Sequence, residues 1–265
     1  MRQGQLVLKA GRRLDVAAVA VIAAAGCGKV MVRLRPRIAV LTTGDEVQSP
    51  GTALGVAAIW DVNSPMLTAA ISAAGADVVE VIHGGDSLEA LRITLEELSQ
   101  RVDIIVTTGG ISVGAADYVK PAIADLGGEI GFSGVAMKPG KPVSFGRIGA
   151  AYWLGLPGNP VSALVTWTLF GPEILAGLAG AEPNVPRRRH VAAEGKLTHK
   201  LGRCELRLAT LCGIDGAGRE VVRCPQDTQS ARVSRLVDAD GLVFIPAGTE
   251  SIPAGGMVEF LPFNV

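Results

Sequence analysis

From residue 37 onward, two kinds of apolar pattern follow one another in turn along this sequence. Short runs rich in Val and Ile occupy residues 37–42, 77–82 and 102–106. Unbroken apolar runs of this length are typical of strands buried on both faces, as in a parallel sheet. The pattern therefore predicts three strands of one largely buried sheet.

The segments between these runs have helical spacing. Two apolar stripes repeat every three or four residues, namely Met66, Leu67, Ala70, Ile71 and Ala74, and then Leu88, Leu91, Leu95 and Leu98. Ser64 and Ser87 are placed to cap the two helices, Pro65 fits a first turn, and Gly75 fits a helix end. Strand and helix thus alternate, which predicts a three-layer α/β domain with right-handed crossovers and a mostly parallel sheet.

The rest of the chain divides on either side of this domain. A helix is predicted over residues 115–126, strands over 142–145 and 152–154, and an apolar helix over 161–178. Beyond Pro183, short alternating segments and Gly-rich turns predict a small all-β, barrel-like domain. Residues 1–35 hold one short helix and a strand at 29–34, too little for a core. The predicted domains are therefore 1–35, 36–181 and 182–265.

Composition excludes several classes of protein. Of the 265 residues, 48% are apolar, and Lys plus Arg balance Asp plus Glu at 25 each, so no basic surface predicts nucleic-acid binding. The longest apolar stretch, residues 16–25, is about half the roughly 20 residues that a membrane helix needs. The four cysteines show no C-x-x-C spacing, which favours reduced thiols and a cytoplasmic location.

Polar and glycine-rich loops follow the predicted strands. They are Thr43-Gly44-Asp45-Glu46, Gly84-Gly85-Asp86, the stretch from Gly109 and Gly110 through Ser112 and Gly114 to Asp117, the loop K-P-G-K-P (138–142), and P-G-N-P (157–160). Ligands of open parallel sheets bind outside the carboxyl ends of the strands. These loops are therefore expected to converge on one ligand site.

The chemistry of the loops is that of a phosphate site. Gly109 and Gly110 allow the backbone to approach an anion, the N–H groups at the start of the next helix would face it, and Ser112 can donate its hydroxyl. Lys138 and Lys141 add positive charge. The acids would repel a phosphate unless Mg²⁺, a cation held by carboxylates and substrate phosphates, lies between them. We expect a phosphorylated small-molecule ligand with Mg²⁺.

A hydrolase is the competing interpretation of the third loop. Residues 110–114 spell G-x-S-x-G, the nucleophile elbow of α/β-hydrolases, which needs an acid and then a histidine later in the chain. Only His190 and His199 follow, and both lie in the predicted β region. We therefore favour Ser112 as a phosphate-binding residue rather than a nucleophile.

Five motifs in fixed order carry a resemblance to a known family. They are T-T-G-D-E (42–46), W-D-V-N (60–63), T-G-G-I-S-V-G-x-x-D-Y (108–118), M-K-P-G-K-P (137–142) and G-L-P-G-N-P-V-S-A (155–163). Together they resemble the molybdopterin molybdenumtransferase family, which includes bacterial MoeA and the gephyrin E domain. The resemblance implies Mg²⁺-dependent insertion of molybdate into adenylylated molybdopterin, with release of AMP, during molybdenum cofactor biosynthesis.

The resemblance also implies roles for individual residues. Substrate binding falls to Thr43, Gly44, Asp61, Asn63, Gly109, Gly110, Ser112, Gly114, Lys138, Gly140, Lys141, Pro157, Gly158, Asn159 and Pro160. Catalytic roles fall to Asp45, Glu46, Asp86 and Asp117, and magnesium ligation to Asp45, Asp86 and Asp117. A homodimer is implied too, with a molybdopterin adenylyltransferase or a molybdoenzyme as a partner, and with no nucleic-acid or membrane partner.

The sequence departs from the family pattern in three places. Only about 35 residues precede the α/β domain, so an N-terminally shortened member is expected. Ala115 stands where an acid is common, and Trp60 stands where a tyrosine or an aliphatic residue is expected. Two alternatives to the transferase stay open: a non-catalytic molybdopterin-binding carrier, and the related adenylyltransferase.

Overall fold

The structure is a computed structural model that describes residues 1–85, 87–111, 117–182, 188–225 and 233–263. Four of the residues discussed above lie outside these ranges: Asp86, Ser112, Gly114 and Ala115.

An α/β domain forms the first of two structural units. Its strands are β1 (Arg37–Thr43), β2 (Val47–Gln48), β3 (Ile59–Trp60), β4 (Asp77–Gly84), β5 (Ile104–Thr108), β6 (Glu129–Ser133), β7 (Met137–Lys138), β8 (Ser144–Ile148) and β9 (Ala151–Leu156). Its helices are α2 (Asn63–Ala73), α3 (Leu88–Ser99), α4 (Val119–Asp125) and α5 (Pro160–Leu178), and α1 (Val16–Ala24) precedes them.

The main sheet has six strands in the order β4-β1-β5-β9-β8-β6. The first four are parallel to one another, and β8 runs antiparallel to both of its neighbours, β9 and β6. Helices α2 and α5 cover one face, where a core including Leu67 and Trp167 forms, and α3 and α4 cover the other, around Trp153. The predicted three-layer α/β fold with a mostly parallel sheet is confirmed.

The sequence predicted helices at the correct places, but some of the predicted first residues differ from those in the structure. Ser87 accepts a hydrogen bond from the N–H of Ala90 and caps α3 as predicted. Helix α2 begins at Asn63, two residues earlier than predicted, and Ser64 is not its cap: the carboxylate of Asp61, just before the helix, accepts from the N–H of Ser64 at 2.9 Å. Capping preferences allow Asp and Ser equally, so the sequence did not distinguish them.

The helix predicted over 115–126 is shorter in the structure. Helix α4 begins at Val119, and Asp117 lies before it rather than inside its first turn, where the sequence placed it. The N–H of Val119 donates to the carbonyl of Gly110 at 3.3 Å. The N–H of Val119, the first residue of the helix, is therefore used within the protein, whereas residues 115 and 116, where the helix was predicted to begin, lie outside the described residues.

The longest helix, α5, is a core element of the α/β domain. By length and composition alone it could cross a membrane. In the fold it packs against β9 and α2, and Val165, Trp167 and Leu175 are buried. Asn159 caps its first turn, with its side-chain oxygen 3.4 Å from the N–H of Ser162.

The second unit is a closed β-barrel, which confirms the predicted all-β domain. Its elements are β10 (Arg189–Ala193), β11 (Leu197–Thr198), β12 (Cys204–Ile214), β13 (Glu220–Arg223), a 3-10 helix (Val233–Leu236), β14 (Gly241–Ile245), β15 (Ser251–Ile252) and β16 (Met257–Pro262). The order β13-β10-β16-β14-β12 closes into a ring because β12 also pairs with β13. Phe260 and Val243 lie in its core.

The N-terminal segment has one of its two predicted elements. Helix α1 is present, with its cap Asp15 accepting from the N–H of Ala18 at 2.8 Å. The predicted strand at 29–34 is wrong: these residues have no strand structure, and Met31 is fully exposed. A strand needs a hydrogen-bonded neighbour, and an apolar sequence run does not provide one.

Candidate functional site

Loops from five strands meet at one edge of the main sheet. In the sheet, Thr43 is the register partner of Gly84, Thr108 that of Leu156, and Gly155 that of Ser144. The ends of β1, β4, β5 and β9 therefore lie side by side, next to the start of β8. We call the loops 43–46, 84–85, 109–110 and 157–160, together with Asn63, the glycine edge. The K-P-G-K-P loop (138–142) leads into β8 and lies at this same edge.

Gly109 and Gly110 lie so close to β1 that no other residue fits. Both have left-handed backbones, with φ of 90° and 61°. A Cβ atom on Gly109 would lie 2.8 Å from the hydroxyl oxygen of Thr43, and one on Gly110 would lie 2.9 Å from a methyl carbon of Val119. The N–H of Gly109 donates to the carbonyl of Leu156 at 3.2 Å and so is not available to an anion. The glycines predicted to bind phosphate thus form a tight turn against Thr43.

Asn63 holds three parts of the glycine edge together. Its side-chain nitrogen donates to the hydroxyl of Thr108 at 2.8 Å and to the carbonyl of Gly158 at 2.7 Å. Because a carbonyl can only accept, the amide nitrogen must face Gly158, and this fixes where the amide oxygen lies. That oxygen is buried and has no hydrogen-bond partner among the residues that the structure describes. Asn63 therefore has a structural role at the site, joining the ends of β5 and β9 to α2.

The predicted acids do not form a metal cluster within the described ranges. Asp45 and Glu46 are exposed in the turn after β1, and a Cβ on Gly85 would lie 3.1 Å from a carboxylate oxygen of Asp45. Asp61 instead binds the N–H of Ser64. In the part of the chain that the structure describes, no three His, Cys, Asp or Glu side chains come together. The magnesium set predicted on Asp45, Asp86 and Asp117 includes one acid outside the described residues.

A second part of the site lies between the K-P-G-K-P loop, α5 and the barrel. This cleft has a volume of about 340 Å³ and is called the basic cleft below. Its lining consists of residues 137–142 with Val161, Ser162, Val165, Arg203, Glu205, Leu206, Arg207, Leu208, Pro225 and Arg235. A smaller pocket of about 180 Å³ adjoins it, with Lys138, Arg203 and Glu205 in both linings.

Positive charge dominates the basic cleft. Lys138, Lys141, Arg203 and Arg235 line it. Glu205, the one acid among the described residues of its lining, is bonded to buried Arg207 at 3.1 Å. The helix-side wall is apolar, where Val161 and Val165 of α5 contribute. A cleft with cationic side chains on one wall and aliphatic side chains on another suits a ligand that carries both anionic groups and a flat apolar part.

The barrel contacts the K-P-G-K-P loop through a strand pair. Met137 and Lys138 of β7 pair in parallel with Cys204 and Glu205 of β12. Burial raises the pKa of the Cys204 thiol at this junction. The sequence did not predict Glu205 or Arg235 at the site, because both come from the other structural unit.

Trp60 ends the short strand β3, between the acidic turn and Asn63. Its side chain is 51% exposed, and its indole N–H donates to the carbonyl of Thr52 at 3.3 Å. It is thus a surface residue beside Asp61, where a change of side chain meets little packing constraint. Trp153 and Trp167, the other two tryptophans, are buried.

Comparison with known proteins agrees with this architecture. Residues 39–176 match a family described as a probable molybdopterin binding domain, which covers just over half of the chain. The chain belongs to this molybdopterin-binding family. Residues 191–263 match the MoeA C-terminal region, domain IV, which corresponds to the barrel.

Relatives of the molybdopterin-binding family that resemble this chain carry consistent names. Molybdopterin molybdenumtransferase 2 from Mycobacterium tuberculosis is 35% identical over 97% of this chain and 64% of its own length. Molybdopterin molybdenumtransferase from Nostoc is 34% identical over 99% of this chain and 61% of its own length. A solved molybdopterin biosynthesis MoeA protein from Pyrococcus horikosii superposes with a TM-score of 0.82 at 30% identity, over 97% of this chain and 62% of that one.

The chain thus spans a little under two thirds of the length of these relatives. The family resemblance predicted from the five motifs is confirmed. Ser112, Gly114 and Ala115, on which part of that prediction depended, lie outside the described residues.

Proposed function

We propose that this chain performs the molybdenum insertion step of molybdenum cofactor biosynthesis, acting on adenylylated molybdopterin and molybdate and releasing AMP. The observation that carries the proposal is the junction of two unlike surfaces, the glycine edge and the basic cleft, at one edge of the sheet. The names of the relatives, molybdopterin molybdenumtransferases, support the same activity.

Each surface suits a different part of such a substrate. Gly110 would receive the pterin phosphate through its backbone N–H, since the N–H of Gly109 already donates to the carbonyl of Leu156, and an added side chain at either glycine would obstruct the approach. Lys138, Lys141 and Arg203 would hold the adenylyl phosphate and the molybdate through charge. Catalysis would then come from proximity and from electrostatic stabilisation of developing negative charge, since no covalent intermediate on the protein is required.

Magnesium is part of the proposed reaction, but the protein need supply only a few of its ligands. Mg²⁺ is usually held by one or two carboxylates together with substrate phosphates, so a preformed cluster of three acids is not needed. Asp45 suits this arrangement, since its carboxylate lies beside Gly85 at the glycine edge. When bound, the ion would neutralise phosphate charge and assist attack on the phosphoanhydride. Asp45→Asn is expected to raise the magnesium concentration at which AMP release is half-maximal, because one carboxylate ligand is lost.

The test is a turnover assay on the purified chain. Adenylylated molybdopterin, Mg²⁺ and molybdate are mixed with the protein, and AMP is followed together with ligand binding. AMP release that depends on molybdate would support the proposal. Tight binding without AMP release would instead identify the chain as a molybdopterin carrier, and absence of binding would reject both.

The adenylyltransferase alternative has less support. The barrel matches the MoeA C-terminal region, and it contributes Arg203, Glu205 and Arg207 to the basic cleft. An adenylyltransferase would consume ATP and unmodified molybdopterin. Incubating the chain with these two substrates and measuring pyrophosphate distinguishes this reaction from the first.

The homodimer stays a prediction, and helix α1 is the candidate for its interface. Helix α1 is apolar on all sides, yet Ala18 is its one buried residue. A helix of this composition is normally covered. Light scattering on the purified chain would test whether a second copy of the chain covers helix α1. Val16→Glu is the interface variant, and Lys196→Glu, at an exposed position, is the control. The cytoplasmic location and the proposed enzyme partners remain predictions as well.

A further inference from the structure

One acid of the basic cleft stands out by its burial. Glu205 is 3% exposed, and the same carboxylate oxygen lies 3.1 Å from Nε of Arg207 and 3.6 Å from Nζ of Lys138. Lys138, by contrast, is 45% exposed. Glu205 and Lys138 belong to different structural units and are register partners in the pairing of β12 with β7.

Charge neutralisation does not explain the contact with Lys138. A buried carboxylate is costly unless it is paired, and Arg207, itself buried, already supplies a partner. Arg207 is fixed in turn by a hydrogen bond from its guanidinium to the carbonyl of Thr198. The Glu205–Arg207 pair is therefore complete within the barrel, and the ammonium of Lys138 is an additional contact on the cleft side.

Because Lys138 lies in the wall of the basic cleft, its contact with Glu205 affects how the lysine meets a ligand. Its side chain lies in the wall shared by the basic cleft and the smaller pocket. A lysine ammonium on a flexible four-carbon stem loses much rotamer freedom when it binds an anion. A fixed carboxylate beside it restricts that freedom in advance, so less is lost when the ligand arrives.

We propose that Glu205 is a positioning residue that orients Lys138 toward the anionic ligand, so that the barrel completes the site of the α/β domain. This inference rests on the proposed function only in taking the ligand of the cleft to be anionic. It assigns a role to a barrel residue that need not touch the substrate.

The direction in which one substitution changes anion affinity distinguishes positioning from simple repulsion. Glu205→Gln removes a negative charge from a cleft that binds anions, so electrostatics alone predicts tighter binding of an anion. Positioning predicts weaker binding, because the ammonium of Lys138 is no longer held. We expect E205Q to weaken the binding of inorganic pyrophosphate, measured by titration calorimetry, about five-fold.

A double-mutant cycle identifies the residue through which Glu205 acts. Lys138→Met alone is expected to weaken pyrophosphate binding about ten-fold. In the K138M background, E205Q should then have no further effect. Lys141 lies on the same loop and is the matched control, so E205Q should still weaken binding five-fold when combined with K141M.

Three results would overturn the inference. Tighter binding by E205Q would mean that Glu205 only repels the ligand, and an equal loss with and without Lys138 would mean a purely structural role. If the wild-type chain bound no pyrophosphate, the anion-binding role of the basic cleft in the proposed function would fail together with the inference. Should E205Q not fold because Arg207 is left unpaired, the pair-neutral variant E205Q/R207Q, compared with and without K138M, replaces it.

Discussion

The glycine edge and the basic cleft adjoin each other, yet they are built on opposite principles. At the glycine edge the chain itself forms the surface, with Gly109 packed against Thr43 and Asn63 bonded to two loops. In the basic cleft the surface is made of long charged side chains from two structural units. A change at the first should alter shape and stability together, whereas a change at the second should alter affinity and leave the fold intact.

The largest effect is expected from Gly109→Ala. The new methyl group would overlap the hydroxyl of Thr43, and φ of 90° is unfavourable for alanine. Strain of roughly 1–2 kcal/mol from the backbone alone, with displacement of the turn added, should reduce pyrophosphate or substrate binding by about 100-fold. Calorimetry gives the affinity, and urea unfolding gives the stability.

Gly75→Ala is the matched control for this variant. Gly75 has φ of 93° and no atom within 4 Å of the added methyl group, so it carries the backbone strain without the overlap. We expect a similar loss of stability and unchanged binding. Equal loss of affinity in both variants would show that strain, and not the shape of the glycine edge, accounts for the effect.

Lys141→Met tests the basic cleft. Removing one cation from the cleft should weaken anion binding about ten-fold and reduce its dependence on salt, with little change in unfolding free energy. Lys196→Met, at an exposed position in the barrel, is the control. A large drop in melting temperature for K141M would contradict the contrast between the two surfaces.

Asn63→Ala should show the structural character of the glycine edge. Two hydrogen bonds to different loops are lost, and the carbonyl of Gly158 loses its donor. We expect destabilisation of about 1–3 kcal/mol, with a weaker effect on affinity than that of Gly109→Ala. A variant that unfolds like the wild type would mean that water replaces the amide without cost.

The smallest expected effects concern residues that report on the site without forming it. Trp60 is the one exposed tryptophan, so ligand binding near Asp61 should change the emission of the wild type and leave that of Trp60→Phe unchanged. Affinity itself should differ by less than about two-fold between the two. An emission change that survives W60F would place the response at a buried tryptophan and indicate a movement of the core.

Cysteine reactivity gives a second measurement of this kind. All four thiols are free, with Cys27 and Cys212 exposed. Burial raises the pKa of Cys224 to about 11. Because the thiolate is the reactive form, iodoacetamide at neutral pH should label Cys27 and Cys212 well before Cys224. Ligand binding at the basic cleft should leave the labelling of Cys27 unchanged.

Much of the fold follows from the sequence alone. Runs of Val and Ile determined three parallel strands, leucine spacing and Ser87 determined α3, and short alternating segments determined the β domain. The predicted burial on both faces holds for β1 and β5 but is wrong for β4, which lies at the edge of the sheet with Val79 and Val81 exposed. These features depend on local spacing and on burial, which a sequence pattern carries directly. The glycine-rich loops could be expected at one edge for the same reason, since parallel strands share their direction.

Only the tertiary structure decided how the site is completed. The sequence could not place Glu205 beside Lys138, because β7 and β12 lie far apart in the chain and pair only when the barrel docks. Nor could it show that 29–34 lacks a partner strand, or that the N–H of Val119 is used by Gly110. Each of these depends on a contact between distant segments, and hydrogen bonds and ion pairs of that kind leave no periodic trace in a sequence.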